Sequence, residues 1–207
     1  MHADIDRYYT TKLSRHGATP LGVDWSCRPT QQLRFLQLLK PCRDATRFSL
    51  DDLGCGYGAL LEYLDEYHPS CEVDYLGIDL SAAMIRSARR KSRGRSGASF
   101  AIGYTSPRVA DFCVASGIFN VKLDQPLDSW ERFVSDTLSA MANSVRRGFA
   151  ANFMAPSAPS QPGSPQLYRC PAGRWAGYCE RELDMAVEIV SGYGLSEYTL
   201  LARRQLS

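Results

Sequence analysis

"DDLGCGYGALLEYL" occupies residues 51–64 and sets three glycines two apart, between an acidic pair and a run with helical spacing. "RFSLDDL" (47–53) reads as a strand and "ALLEYLDEYH" (59–68) as a helix, so Gly54, Gly56 and Gly58 fall where a strand turns directly into a helix. Glycines in that place permit positive φ and let a ligand touch backbone with no Cβ in the way. A plain turn would need neither the acid before the glycines nor the acid at the end of the next strand. The bend therefore predicts a ligand cradle.

Outward from the bend, "VDYLGIDL" (73–80) reads as a strand and "SAAMIRSARRK" (81–91) as a helix capped by Ser81. "SFAIG" (99–103) and "DFCVASGIF" (111–119) are further strands, "PLDSWERFVSDTLSAMANS" (126–144) a long helix and "RGFAANFM" (147–154) another strand. A helix over 174–183 precedes two β-rich runs around "GYG" within 185–204, which predict an antiparallel hairpin. Apolar strands separated by helices imply a parallel sheet covered on both faces and joined by right-handed crossovers, a doubly wound α/β domain. Residues 1–45 form a helical, aromatic lead-in with Tyr8, Tyr9, His16 and Trp25, ending in the amphipathic "PTQQLRFLQLL" (29–39), which Pro41 stops. The expectation is one domain over 1–207, the lead-in covering a site on a Rossmann-like core of 46–207. The stretch "APSAPSQPGSPQ" (155–166) has four prolines and no large apolar side chain, which predicts a mobile loop.

A chain of 207 residues, 44% hydrophobic and 22% charged, has the composition of an ordinary soluble domain with one core. With no leader pattern at the start and no apolar run long enough for a bilayer, the expectation is a cytoplasmic protein with no membrane partner. Seven cysteines at scattered spacings, no C-x-x-C pair and only three histidines predict free, mostly buried thiols and no metal site. Of 24 basic residues, six lie in "RSARRKSRGR" (86–95), leaving 24 − 6 = 18 against 22 acidic elsewhere. That balance argues against a nucleic-acid face spread over the domain. The run itself reads as a helix end favoured by its dipole, followed by a solvated loop.

Asp79 ends the second strand and reaches the crevice at the carboxyl ends of the strands, where ligands of open α/β sheets lie. A carboxylate there can accept both hydroxyls of a ribose, so the ligand is a nucleoside. Gly54 to Ala59 also fits the dinucleotide fingerprint G-x-G-x-x-A, with Asp79 about 20 residues further on, as that motif requires. An NAD(P)-dependent oxidoreductase thus stays open, as does a non-catalytic nucleoside- or nucleic-acid-binding module using the basic run. Asp52 weighs against the dinucleotide, because a charge beside the bend repels a pyrophosphate and attracts an ammonium or sulfonium.

The string "GIDLSAAM" following the glycine bend resembles the second motif of class I S-adenosylmethionine-dependent methyltransferases, and the closing hairpin is also a feature of that family. The resemblance covers roughly residues 47–205 and implies a seven-stranded sheet whose last strand is antiparallel, with S-adenosylmethionine across the strand tips. By resemblance, Asp52, Gly54, Cys55 and Gly56 hold the methionine end, and Asp79 takes the ribose at an open rim. Leu80 and Met84 pack on adenine, and Ser116 and Ile118 border the sulfonium. The acid that the family often places after the third strand is missing from "IGYTSP".

Methyl transfer of this kind is a direct displacement that depends on alignment, and a base matters only if the acceptor keeps its proton. His16 is the candidate base by titration range. Trp25 and Tyr9 are expected to enclose cofactor or acceptor, with Tyr8 beside them and Tyr168, Trp175 and Tyr178 as a second wall. Asn120 and Asn152, near strand ends, could orient a polar substrate. A short lead-in with no appended recognition domain predicts a small-molecule acceptor, methylated on nitrogen or oxygen.

Overall fold

The structure is a computed structural model that describes residues 1–157 and 163–205. In chain order its elements are α1 (His2–His16), α2 (Arg28–Leu38), β1 (Arg47–Leu53), α3 (Ala59–Tyr67), β2 (Glu72–Asp79), α4 (Ala82–Lys91), β3 (Ala98–Ile102), β4 (Ala110–Ala115), α5 (Leu127–Asn143), β5 (Val145–Met154), α6 (Ala172–Glu182), β6 (Met185–Val190) and β7 (Glu197–Arg204). Short 3-10 turns at Pro20–Val23 and Lys40–Cys42 link the first elements. The strands form one seven-stranded sheet in the order β3-β2-β1-β4-β5-β7-β6. Only β7 runs against its neighbours, pairing antiparallel with β5 and β6.

Both faces of the sheet are buried, which explains the nearly continuous apolar strands. Successive residues of β4 and β5 point to opposite sides: Phe112, Val114 and Ala150 join the layer of Phe35, Leu38, Leu60 and Leu64. Cys113, Ala115, Phe149 and Ala151 join Trp130, Leu138, Met141 and Trp175 on the other side. The chain order reverses between β1 and β4, and the crevice opens there, at their carboxyl ends. One crossover lacks a helix. Residues 103–109 run from β3 to β4 as a strap pinned to the buried Asp51, which accepts from Arg108 Nε at 2.7 Å and from Ser106 Oγ.

One expectation changes. The strand expected over 111–119 stops at Ala115, because Gly117 takes a positive φ of 79° and turns the chain over the crevice. Residues 158–162 of the proline-rich loop lie outside the described residues. At the loop's end the chain is held, since Gln166 O accepts from the Lys122 and Leu123 N–H groups at 2.9 and 3.0 Å. All seven cysteines are free thiols; Cys27 is exposed, Cys71 half-buried and the other five buried. Among the described residues no helix is long and apolar enough to cross a membrane.

Candidate functional site

A cavity opens where β1, β2 and β4 end, floored by residues 52–57, 79–81 and 116–118. The lead-in is its roof. Helix α1 with its N-cap Met1 lays Met1, His2, Ile5, Asp6 and Tyr9 over it, the i, i+4 stripe of one helix face, and Trp25 and Gln31 follow from the next elements. No residue of α1 is fully buried, and Thr10 Oγ1 meets Ser81 Oγ at 2.7 Å to seat the helix on the start of α4.

The glycine bend is satisfied from within. The Gly54 and Cys55 N–H groups both donate to Ile78 O, at 2.8 and 3.0 Å, and the Gly56 N–H donates to Asp79 Oδ2 at 2.8 Å. A pyrophosphate needs free amides in this place. With those three amides taken, the bend offers carbonyls and carboxylates, which suit a cationic ligand. Gly54 has φ 77°, and a Cβ there would lie 2.1 Å from Ile118 Cγ2, so only glycine lets the β4 loop close on the bend.

Asp79 is half-buried rather than at an open rim. Its Oδ1 accepts from the Ser81 N–H at 2.8 Å while Oδ2 holds Gly56, so each oxygen is fixed and keeps one further lone pair for a ligand hydroxyl. Burial pushes its carboxyl up to about 6, against the pull of those two amides. Asp52 is buried, and burial raises it to about 7, opposed by the Tyr75 hydroxyl donating to Oδ2 at 2.6 Å and assisted by the nearby charges of Asp79 and Asp51. The Cys55 side chain is buried and its thiol raised well above its ordinary value by burial, so it stays a thiol.

Leu80, Met84, Ser116 and Ile118 all line the cavity, as does Trp25. Ser116 Oγ is buried and has no partner among the described residues, an orphan donor that a bound molecule would satisfy. The Trp25 indole lies against the bend after β4: a Cβ on Gly117 would meet its Cζ2 at 2.5 Å.

Behind the indole runs a closed ring of contacts. The Arg34 guanidinium stacks on Trp25 at 3.8 Å and grips Glu197 through Nε and Nη2 at 2.7 and 2.5 Å. Asn152 Nδ2 donates to Glu197 at 3.0 Å, and Asn152 Oδ1 accepts from the Gly117 N–H at 2.7 Å. The side chains of Arg34 and Glu197 are 8% and 5% exposed, so this ion pair is buried and needs the extra hydrogen bonds that the ring supplies. Trp25 and the β4 loop are thereby set by one network.

Some expected residues lie elsewhere. His16 is the last residue of α1, about 21 Å of helix from His2, and is not among the cavity's residues; the helix brings His2 there instead. The His2 ring sits 4.7 Å from Tyr104 and meets Phe133 edge-on. Asn152 cannot orient a substrate, because both ends of its amide are engaged in the ring. Asn120 is buried outside the cavity lining. Tyr168 and Trp175 are not among the cavity's residues: both are buried in the core that holds Phe153, with Trp175 Nε1 donating to Tyr168 OH at 3.1 Å and Tyr168 OH to Glu131 at 3.0 Å. Tyr178 OH meets Ser139 Oγ at 2.9 Å on α5, and Tyr8 donates to Asp24 on the outer side of α1. Half of the basic run is engaged at home, with Arg89 on Phe100 O, Lys91 on Glu62 and Arg95 on Asp65.

Sequence reasoning missed Asp6, Gln31, Tyr104 and Phe133, which the fold brings to the cavity. The stripe of α1 was available as a signal in the i, i+4 spacing. Gln31 accepts from Tyr57 OH at 3.1 Å through Oε1, which orients its amide nitrogen as a donor, and nothing in the local sequence marks it.

A family model described as a methyltransferase domain matches residues 52–134, the bend through the start of α5. The Mycobacterium tuberculosis protein named "Putative methyltransferase Rv1506c" is 38% identical over 160 residues, covering 77% of this chain and 95% of its own. Among solved structures, magnesium protoporphyrin IX methyltransferase from Synechocystis PCC 6803 with bound SAH superposes with TM-score 0.63 at 15% identity, over 86% of this chain and 84% of that one. Human N-acetylserotonin methyltransferase in complex with SAM gives 0.59 at 15% identity, over 86% and 57%. At such identities the structures attest the fold alone.

Proposed function

We propose that this chain, which belongs to the class I S-adenosylmethionine-dependent methyltransferases, methylates an oxygen or nitrogen atom of a small molecule held beneath α1. When bound, S-adenosylmethionine supplies an activated methyl on a sulfonium. The free lone pairs of Asp79 would accept the ribose hydroxyls, and Leu80 and Met84 would flank adenine. Asp52, with the carbonyls of Gly54, Cys55 and Gly56, favours the methionine ammonium, and the Gln31 amide can donate to its carboxylate. Ser116 and Ile118 would border the sulfonium, under the cover of Trp25.

The observation that carries the cofactor assignment is the fixing of Asp79 by Gly56 and Ser81, which pre-orients a carboxylate at the second strand's tip before any ligand arrives. Pre-orientation lowers the cost of binding. No base is assigned, because alignment of acceptor and methyl is the main requirement and His16 does not reach the cavity. The small-molecule reading is supported by the roof: α1 and Trp25 leave a cleft, not a broad face for a macromolecule. The test is incubation with methyl-labelled S-adenosylmethionine and, in separate vessels, a small-molecule cell extract, a protein fraction and a nucleic-acid fraction. Label in the low-mass products is expected; label in protein or nucleic acid would overturn the proposal.

A further inference from the structure

The charged side chains that line the cavity are of one sign. Asp6, Asp52 and Asp79 line it, and among the described residues no lysine or arginine does. Asp6 is held in place by Thr10 Oγ1, which donates to it at 3.0 Å. Two cationic groups come near, and each is already engaged: the Met1 ammonium at the rim pairs with Asp4 at 3.2 Å, and the Arg34 guanidinium lies behind Trp25, bound to Glu197. His2 is held below its ordinary pKa by burial and by the adjacent N-terminus, so it adds no charge at neutral pH.

The uncharged part of the lining is mostly ring and aliphatic surface. Outside the residues assigned to the cofactor it includes Ile5, Tyr9, Phe35, Tyr104 and Phe133. We infer that the methyl acceptor is an uncharged, flat, apolar molecule that presents a hydroxyl or amine and carries no carboxylate or phosphate. The inference rests on the methyltransferase reading above and narrows it. Apart from the charge of the cofactor itself, an anion entering this cleft would find no lysine or arginine to pair with and would meet the Asp6 carboxylate in a partly dehydrated space, where repulsion is stronger than in water. A cation would be drawn by the carboxylates but would have to sit beside the sulfonium, a charge of its own sign. A neutral ring avoids both conflicts and gains contact with the aromatic walls.

The test uses the full chain loaded with S-adenosylhomocysteine and matched probes titrated by calorimetry: 2-naphthol and 2-naphthylamine against 6-hydroxy-2-naphthoate and 2-naphthyl phosphate. The neutral pair should bind at least about tenfold tighter than the anionic pair, as expected for repulsion at close range. Equal or tighter binding of the anions would overturn the inference, as would failure of both neutral probes to bind at millimolar concentration. The loading titration reports separately on the cofactor reading, so the two cannot be confused. Asp6→Lys supplies the missing cation and should bring the naphthoate level with naphthol; an unchanged preference would show that charge does not select the acceptor.

Discussion

Replacing Arg34 by methionine leaves the Glu197 carboxylate buried, with only Asn152 to hold it. Breaking a buried pair from one side typically costs about 3–5 kcal/mol, whereas replacing both partners with apolar residues is often close to neutral. Arg34→Met should therefore lower the melting temperature by roughly 6–20 °C, at about 2–4 °C per kcal/mol for a chain of this size. Arg34→Met/Glu197→Leu should regain most of that loss. The double variant still lacks the guanidinium behind Trp25 and the anchor that holds Asn152 on the Gly117 N–H, so the β4 loop and the indole lose their common register. Its S-adenosylhomocysteine affinity should fall on the order of tenfold, the equivalent of one lost cation–π or hydrogen-bond contact. Thermal unfolding and calorimetric titration of the single and double variants check both halves. A double variant as unstable as Arg34→Met would refute the ion-pair accounting. One that folds well and binds S-adenosylhomocysteine as tightly as the unmodified chain would refute the positioning role.

Asp79→Ala removes acceptors for two ribose hydroxyls, charge-assisted bonds of about 1.5–3 kcal/mol each, so S-adenosylmethionine affinity should drop on the order of a hundredfold or more. Because Gly56 and Ser81 lose their partner as well, urea unfolding in acid, below the raised pKa of Asp79, should also show a loss of about 1–3 kcal/mol; unchanged stability there would contradict the hydrogen bonds described. The raised carboxyls make both binding and stability depend on pH. Asp52 and Asp79 titrate near 7 and 6 in the folded chain, above the unfolded carboxylate range, so the folded state binds more protons between. Their contribution to stability without ligand is thus greatest in acid and is lost as pH rises through 6 to 7, whereas affinity for the cationic cofactor should rise over the same interval. Asp52→Asn should flatten both profiles, and identical slopes in variant and parent would rule out Asp52 as the titrating group.

The sheet was legible because its signals are local. Each βα unit carries its own apolar period, the Gly54 bend marks the turn at the first strand's tip, and Ser81 caps α4 where the spacing places it. The ring around Asn152 was not legible. Arg34 and Glu197 are 163 positions apart, and alone each reads as a surface charge; the packing of α2 against β7 brings them together, and the pairing of β7 with β5 adds Asn152. Side-chain type does not tell a buried ring from a cavity-lining one, so the sequence alone does not show that α6 turns Trp175 onto Phe153 and not toward the cavity. His16 and His2 sit on the same helix, and sequence could not say which end of α1 meets the crevice. That depends on Thr10 seating the helix at Ser81.

The most direct test is a calorimetric titration of S-adenosylhomocysteine and NAD into the unmodified full chain. The internally satisfied bend and the fixed Asp79 carboxylate predict one S-adenosylhomocysteine site per chain and no heat from NAD. Binding of NAD without binding of S-adenosylhomocysteine would contradict the account at its centre.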